Sequence, residues 1–454
     1  MPDCVKPADG APRAATVPGG TLRAAWVFLS GATARKGMVT LADQGIVSAT
    51  NFLTGILVGR AVPEASFGVY VLGLTVVMFM VEAQTALVST PFTVFHPRLK
   101  EGERPAYAGS SLMHFLGLAG GAMVLFVLGG VALLFGRGPS EMLSVARTLA
   151  AVVGFILLRE FLRRISFARL RMGRALLLDA CVSALQLGGL LALMRGGLLT
   201  PSRAYLVMGG ACGVTALAAL LGARRGFSLR GAQPLRELRR SWGLSKWLLL
   251  GIVVFWFASH SYPWLIAAFH DTAETGAYGA CLRVIFIANV FMFGAANLLG
   301  PKMAHAFAEG GGARVTRAVL QATVVLAAPM LGFCLLMQVF GGPLVPLLFR
   351  GKYDGYAWTV RLLAMEQLVV ALAYPINKAL VALERADVNF KSCLIALAGT
   401  LLFGIWLVKG WGTAGAAAGS LIGSAGASAY KAWAFRRHVR EKMYQVHSSG
   451  GGAG

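Results

Sequence analysis

Apolar runs of about twenty residues, each long enough to cross a bilayer, recur about twelve times and limit the fold more than any other feature. They lie near 38–59, 67–90, 109–135, 143–162, 175–194 and 204–223, then near 247–269, 276–299, 318–340, 356–377, 390–408 and 412–434. Lipid offers no water to backbone groups, so a spanning segment must be a helix or a strand of a closed barrel. The runs are continuous rather than alternating, which selects helices. Only 13% of the residues are charged, where a soluble domain carries about 25%. The expected fold class is an all-α polytopic membrane protein of about twelve transmembrane helices in two six-helix halves.

The connections give this expectation a direction. Arg35 and Lys36 precede the first run, and Arg98, Lys100 and Arg104 follow the second. Arg159, Arg163, Arg164, Arg169, Arg171 and Arg174 are read as the connection after the fourth. Further basic clusters occupy 224–246, 302–317, 378–391 and 431–442, while the alternate connections are poor in positive charge. Lysine and arginine are retained on the cytoplasmic side. Both termini are therefore expected in the cytoplasm of a bacterial cell, with the chain in its cytoplasmic (inner) membrane. The net charge of +23 is accounted for in this way, and no nucleic-acid partner is expected. The arginine-rich stretches are read as topological and as holding anionic headgroups, with recruitment of an anionic substrate as the alternative.

The expected segments are a disordered cytoplasmic tail (1–36), an N-terminal bundle (37–224), a cytoplasmic linker (225–245), a C-terminal bundle (246–436) and a second tail (437–454). The six cysteines are scattered without a CxxC pair, so no metal site or disulfide framework is expected. The far-side connections are short, which places any function between helices. A weak repeat supports two related halves: Ala61–Val62–Pro63–Glu64 leads into Gly68–Val69–Tyr70, and Asp271–Thr272–Ala273–Glu274 leads into Gly276–Ala277–Tyr278.

The run LADQGIVSATNFLTGILVGRAVPEASFGVYVLGL, Leu41 to Leu74, resembles the opening of bacterial polysaccharide-biosynthesis membrane proteins. These are the O-antigen and lipid-linked oligosaccharide flippases of the multidrug/oligosaccharidyl-lipid/polysaccharide exporter superfamily. GAYGACLRVIFIANVFMFGAANLLGPKMAHA, Gly276 to Ala306, is similar to their eighth helix and the loop after it, and PLLFRGKY, Pro346 to Tyr353, to the short element before their tenth. An extra residue between Pro63 and Gly68 departs from the pattern, as does Arg350 where a smaller residue is expected. The resemblance implies two bundles around a central cavity that moves a lipid-linked oligosaccharide between leaflets by alternating access. It implies the membrane lipid and that substrate as partners, with glycosyltransferases or a polymerase nearby, and no cofactor.

Ionisable groups inside spans are costly and usually face a bundle interior or a wet cavity. Arg283, on the eighth run, is the first candidate, because a guanidinium grips phosphate oxygens in a fork. Its alternatives are snorkelling to the interface or pairing with Glu366 or Glu82. Arg361, Asn289, Asn51 and Gln44 complete the candidate substrate-binding set. Gln44 and Asn51 share a polar face with Thr40 and Ser48, and the alternative for them is interhelical hydrogen bonding. Glu82, Glu366, Asp43 and His260 are candidates for proton coupling, with static pairing or a structural role as the alternative. A drug or metabolite exporter of the same fold is the nearest rival function. A membrane glycosyl polymerase or ligase is expected less: no HExxH, loop carboxylate pair, histidine–aspartate cluster or P-loop occurs, and the chain is not expected to be an enzyme.

Overall fold

The computed structural model describes residues 32–136, 140–383 and 385–450. Helix α1 is Ala32–Ala61. Helix α2 is Glu64–Gln84, and it continues through a π turn at Thr85–Ser89 as far as Arg98. Then follow α3 (Arg104–Phe135), α4 (Ser140–Ala168), α5 (Met172–Arg195) and α6 (Pro201–Ala223). In the second half, α7 is Pro234–His260, interrupted at Ser261 ahead of Pro263 and resumed as Tyr262–Phe269. Next are α8 (Thr272–Ile285), α9 (Asn289–Leu348) and α10 (Ala357–Ala382). Helix α11 starts as Ala386–Gly399, passes a π turn at Thr400–Gly404, and enters the element Ile405–Gly450. That element breaks at Trp411 and Gly412, whose φ of −130° and 53° are not helical; the part beyond is α12.

The fold is all-α, and ten helical segments among the described residues are long and apolar enough to cross a membrane. One of them, the 54 residues Asp387–Arg440, would be about 80 Å long as a straight helix, far more than one crossing needs. It is a hairpin. Gly399 packs on Gly423, Gly404 on Gly419, and Gly415 on the Leu407 carbonyl, so the two arms run antiparallel from the break at Trp411–Gly412. Small residues let helix backbones approach where lipid supplies no hydrophobic drive. With that hairpin counted as two and the segment from Thr272 added, about twelve crossings result. A loop is expected from sequence between 299 and 318, but helix runs through it, and Leu299, Met303 and Ala306 join one apolar cluster with Val315 and Ala318. Helix also extends to Gly450, where a flexible tail is expected. The first 31 residues of the expected leading tail lie outside the described residues.

One face of the molecule carries the basic connections at 98–104, 169–171 and 224–234; it is called the basic face here, and the opposite one the far face. The run Arg159–Arg174, expected as a basic connection, is corrected by the structure. Helix α4 reaches Ala168, and only 169–171 forms the turn. Hydropathy falls after Leu162 because the helix carries charges, yet Glu160, Arg163 and their partners neutralise one another inside the bundle.

Candidate functional site

Two basins lie between the helices. The first-half basin, of about 400 Å³, is lined by α1, α2, α4, α5, α6 and α7. The second-half basin, of about 210 Å³, is lined by α2, α7, α8, α10 and α12, with the start of α9. Leu74, Met78, His260 and Phe286 line both, so the basins adjoin at these four side chains.

The far end of this space is closed by contacts between the halves. Gly68 of α2 faces the carbonyl of Thr272, and Gly276 of α8 faces the carbonyl of Glu64. The contact is reciprocal: Glu64 to Thr272 and Gly68 to Gly276 are the same 208-residue step. The Gly-x-Tyr repeats seen in the sequence therefore meet each other across a local two-fold relation. No side chain fits at either glycine, because the obstacle is backbone. Nearby, Lys352 donates to the carbonyls of Gly59, Arg60 and Val62 at 3.5, 3.2 and 2.7 Å. In exchange the Arg60 guanidinium donates to the Leu348 carbonyl. Each cation thus caps the carbonyl end of a helix in the other half, where the helix dipole favours positive charge. The loop that presents Lys352 holds Arg350 and Tyr353 at φ of 58° and 61°. This left-handed conformation explains why a smaller residue is expected at 350. Thr75 of α2 adds two bonds across the halves, one to each of Trp256 and Trp264 of α7.

Arg283 lines the second-half basin and is only 7% exposed. A Cβ at Gly55 of α1 would lie 2.5 Å from its Nε, so the glycine makes room for the guanidinium. The Phe286 ring lies 5.7 Å from Cζ. Among the described residues Arg283 has no carboxylate within ion-pair distance, so the expected alternative of pairing with Glu366 or Glu82 does not hold. Glu366 instead accepts from Ser420 and Ser424 of α12 at 2.6 and 2.9 Å. Asn289 lines the same basin and accepts from Gln367 at 3.2 Å. His260 stands at the junction, parallel to the Trp256 ring, with its Nδ1 buried and unbonded.

The first-half basin receives Asn51 and Glu82. Its wall is an ion network that the sequence reading missed. Arg163 bonds Asp43 at 2.8 Å and Asp179 at 2.6 Å, Arg159 bridges Asp179, and Arg164 holds Glu160 at 2.6 Å. Three arginines face three carboxylates, so the cluster is neutral overall. Thr50 to Ser183 and Gln186 to Thr54 tie α1 to α5 beside it. The available signal was the i, i+3 and i, i+4 spacing of Glu160 with Arg163 and Arg164, together with two aspartates in apolar runs. Asp43 is therefore an ion-pair partner of Arg163 rather than a free carboxylate. Two other candidates fall outside the basins: Gln44 lines neither, and Arg361 donates to the Gln338 carbonyl and lies 5.4 Å from the Trp358 ring centroid.

This geometry defines a helical membrane protein with an interior polar chamber sealed at one end. No family model matches the sequence, and no curated protein matches it. Solved structures share its fold. One is an inward-facing multidrug resistance MATE family transporter of the MOP superfamily, with 15% identity and a TM-score of 0.72, covering 87% of this chain and 95% of that one. Another is the lipid II flippase MurJ in an inward closed conformation, with 12% identity and a TM-score of 0.70, covering 88% and 87%. A third is a MOP superfamily transporter from Pyrococcus furiosus described by the reversed polarity of its binding pocket, with 18% identity and a TM-score of 0.65, covering 89% and 95%. The chain thus has the fold of MOP superfamily transporters.

Proposed function

We propose that this chain is a transporter that flips or exports a lipid-linked oligosaccharide across the bacterial inner membrane by alternating access, in the synthesis of exopolysaccharide, capsule or O-antigen. The basic face is the cytoplasmic one in this reading, so the far-face closure describes a state with its outer side shut. Arg283 is the observation that carries the proposal. A buried guanidinium without a carboxylate partner is expensive in lipid, and a phosphate entering the chamber would supply the missing counter-charge. Asn51 and Asn289 are proposed to meet the sugar or the carrier's polar groups. Proton coupling is proposed at Glu82, Glu366 and His260, all on the walls of the basins.

Charge-assisted hydrogen bonds are worth about 1.5–3 kcal/mol each. Arg283→Ala, inserted normally, is therefore expected to lower transport of a pyrophosphate-linked cargo by at least tenfold and to leave lipid-linked intermediates in the inner leaflet. Polymer at the unmutated level in that variant would refute the phosphate grip. The second reading, a drug or metabolite exporter, is favoured by one feature: Glu82 and Glu366 line the basins and offer carboxylates to a cation. Loss of the gene separates the two, since only the first reading has intermediates accumulate without a change in drug tolerance.

A further inference from the structure

A groove on the outer side of α4, α5 and α6 belongs to neither basin. It has a volume of about 710 Å³. Helix α5 divides the two spaces: Leu178, Cys181 and Leu185 line the groove, whereas Val182, Ser183 and Gln186 line the basin on the opposite side. The groove's α6 wall is built of Ala218, Ala219 and Gly222, all exposed, and a side chain added at Gly222 would meet nothing within 4 Å. Small residues in membrane helices ordinarily bring a second helix close, and none of the described helices occupies this side. A trough open to the bilayer has to be filled by hydrocarbon, since an empty one forfeits dispersion contacts along both walls.

At the basic face the trough ends in Arg169, Arg171 and Arg174. Arg171 and Arg174 are exposed, and none of the three has a carboxylate within ion-pair distance among the described residues. Arg169 is held in place: it donates to the Gly226 carbonyl at 3.2 Å and lies near the Phe92 and Phe227 rings, 5.9 and 5.4 Å from their centroids. Burial, and then the charges of Arg171 and Arg174, lower its pKa, as expected for clustered cations without a counter-ion. Leu170 at φ 56° turns the chain between Arg169 and Arg171, a conformation that a leucine seldom adopts. Three cations at the end of a largely apolar trough complement a lipid with an anionic head.

We infer that this trough is a binding site for an anionic phospholipid of the surrounding bilayer, with an acyl chain against α5 and α6 and the headgroup phosphate among Arg169, Arg171 and Arg174. Guanidinium forks match phosphate oxygens. A zwitterionic lipid brings an amine into the same cationic field, so the site selects net negative charge.

The test uses the full chain in detergent, mixed with equal amounts of phosphatidylglycerol and phosphatidylcholine and read by native mass spectrometry. Phosphatidylglycerol is expected to be retained preferentially. Each arginine near a headgroup is worth about fivefold, so Arg171→Ala with Arg174→Ala should weaken retention roughly 30-fold. Ala218→Trp fills the trough and keeps all three arginines, and it should also displace the lipid; Ala184→Trp is the second filling variant if the first misfolds. Retention at the unmutated level in a folded filling variant, or equal retention of phosphatidylcholine, would overturn the inference. It would also fail if a polyprenyl pyrophosphate displaced phosphatidylglycerol at substoichiometric amounts, which assigns the trough to a cargo. Dimers that vanish in the filling variant would assign it to a second copy and overturn it equally.

Discussion

Replacing Gly68 by alanine tests whether the far-face contact holds one state of a two-state molecule. A methyl group at that position points at the Thr272 carbonyl, and the obstacle is backbone on both sides. Side-chain rotation offers no relief, so α2 and α8 have to separate where they cross. Overpacking of this kind costs about 1–3 kcal/mol when the surroundings hold still. In a protein with a second, far-side-open state, that strain falls on the closed state alone. A differential of that size moves the closed-to-open ratio by roughly 5- to 150-fold. Cysteines introduced at Leu198 and Trp411, both exposed at far-face connections of opposite halves, carry spin labels for a distance measurement after Cys4, Cys181 and Cys393 are replaced by alanine. The unmutated chain should give one dominant short distance, and Gly68→Ala should add a longer population. Gly276→Ala, its counterpart in the reciprocal contact, should produce the same change. A distance distribution unchanged in both variants, with the protein folded, would refute the assignment of this contact as a closure.

Two further outcomes follow from the packing. Arg163→Ala strands the fully buried Asp43 and leaves Asp179 to Arg159 alone, and breaking a buried pair in this way costs about 3–5 kcal/mol; thermal unfolding in detergent should drop sharply, while Arg163→Met with Asp43→Asn, which keeps the cluster neutral, should recover most of the loss. Gly419→Leu places a side chain against the Gly404 backbone and the Tyr262 hydroxyl, so the α11–α12 hairpin should not close, and gel filtration should show loss of the monodisperse peak.

The spans were legible because lipid makes hydropathy and helicity nearly the same signal. Their ends were less so. Arg159 and Arg163 looked like a loop because a linear count of charge cannot tell a solvated arginine from one facing Asp43, 120 residues away in sequence. The break at Trp411–Gly412 falls at the edge of the gap between the apolar runs 390–408 and 412–434, which Gly410 and Gly412 interrupt. Among site candidates, Arg283, Glu366, Asn289, Asn51, Glu82 and His260 do face the basins, each a polar group in an otherwise apolar run. Arg361 satisfies the same description and points elsewhere; which face of α10 meets α9 is decided by packing at Gly341 and Gly342, which periodicity alone does not reveal. Ser420 and Ser424 were missed because serine in a glycine- and alanine-rich span reads as one more small residue.

The distribution of charge explains why the two halves differ while their backbones are related. In the first-half basin Arg159, Arg163 and Arg164 each meet a carboxylate, so that wall is polar but neutral. In the second half the half-buried carboxylate of Glu366 is satisfied by two serine hydroxyls, and Arg283 is left with an aromatic ring and a glycine. The unbalanced cation sits on α8, the helix that closes against α2. An anion bound to Arg283 is therefore placed close to the surface that must part for the far side to open. On the proposed function, substrate recognition and the closure share helix α8, so occupancy of the chamber would have a direct mechanical route to the contact at Gly68 and Gly276, without any relay through the rest of the fold.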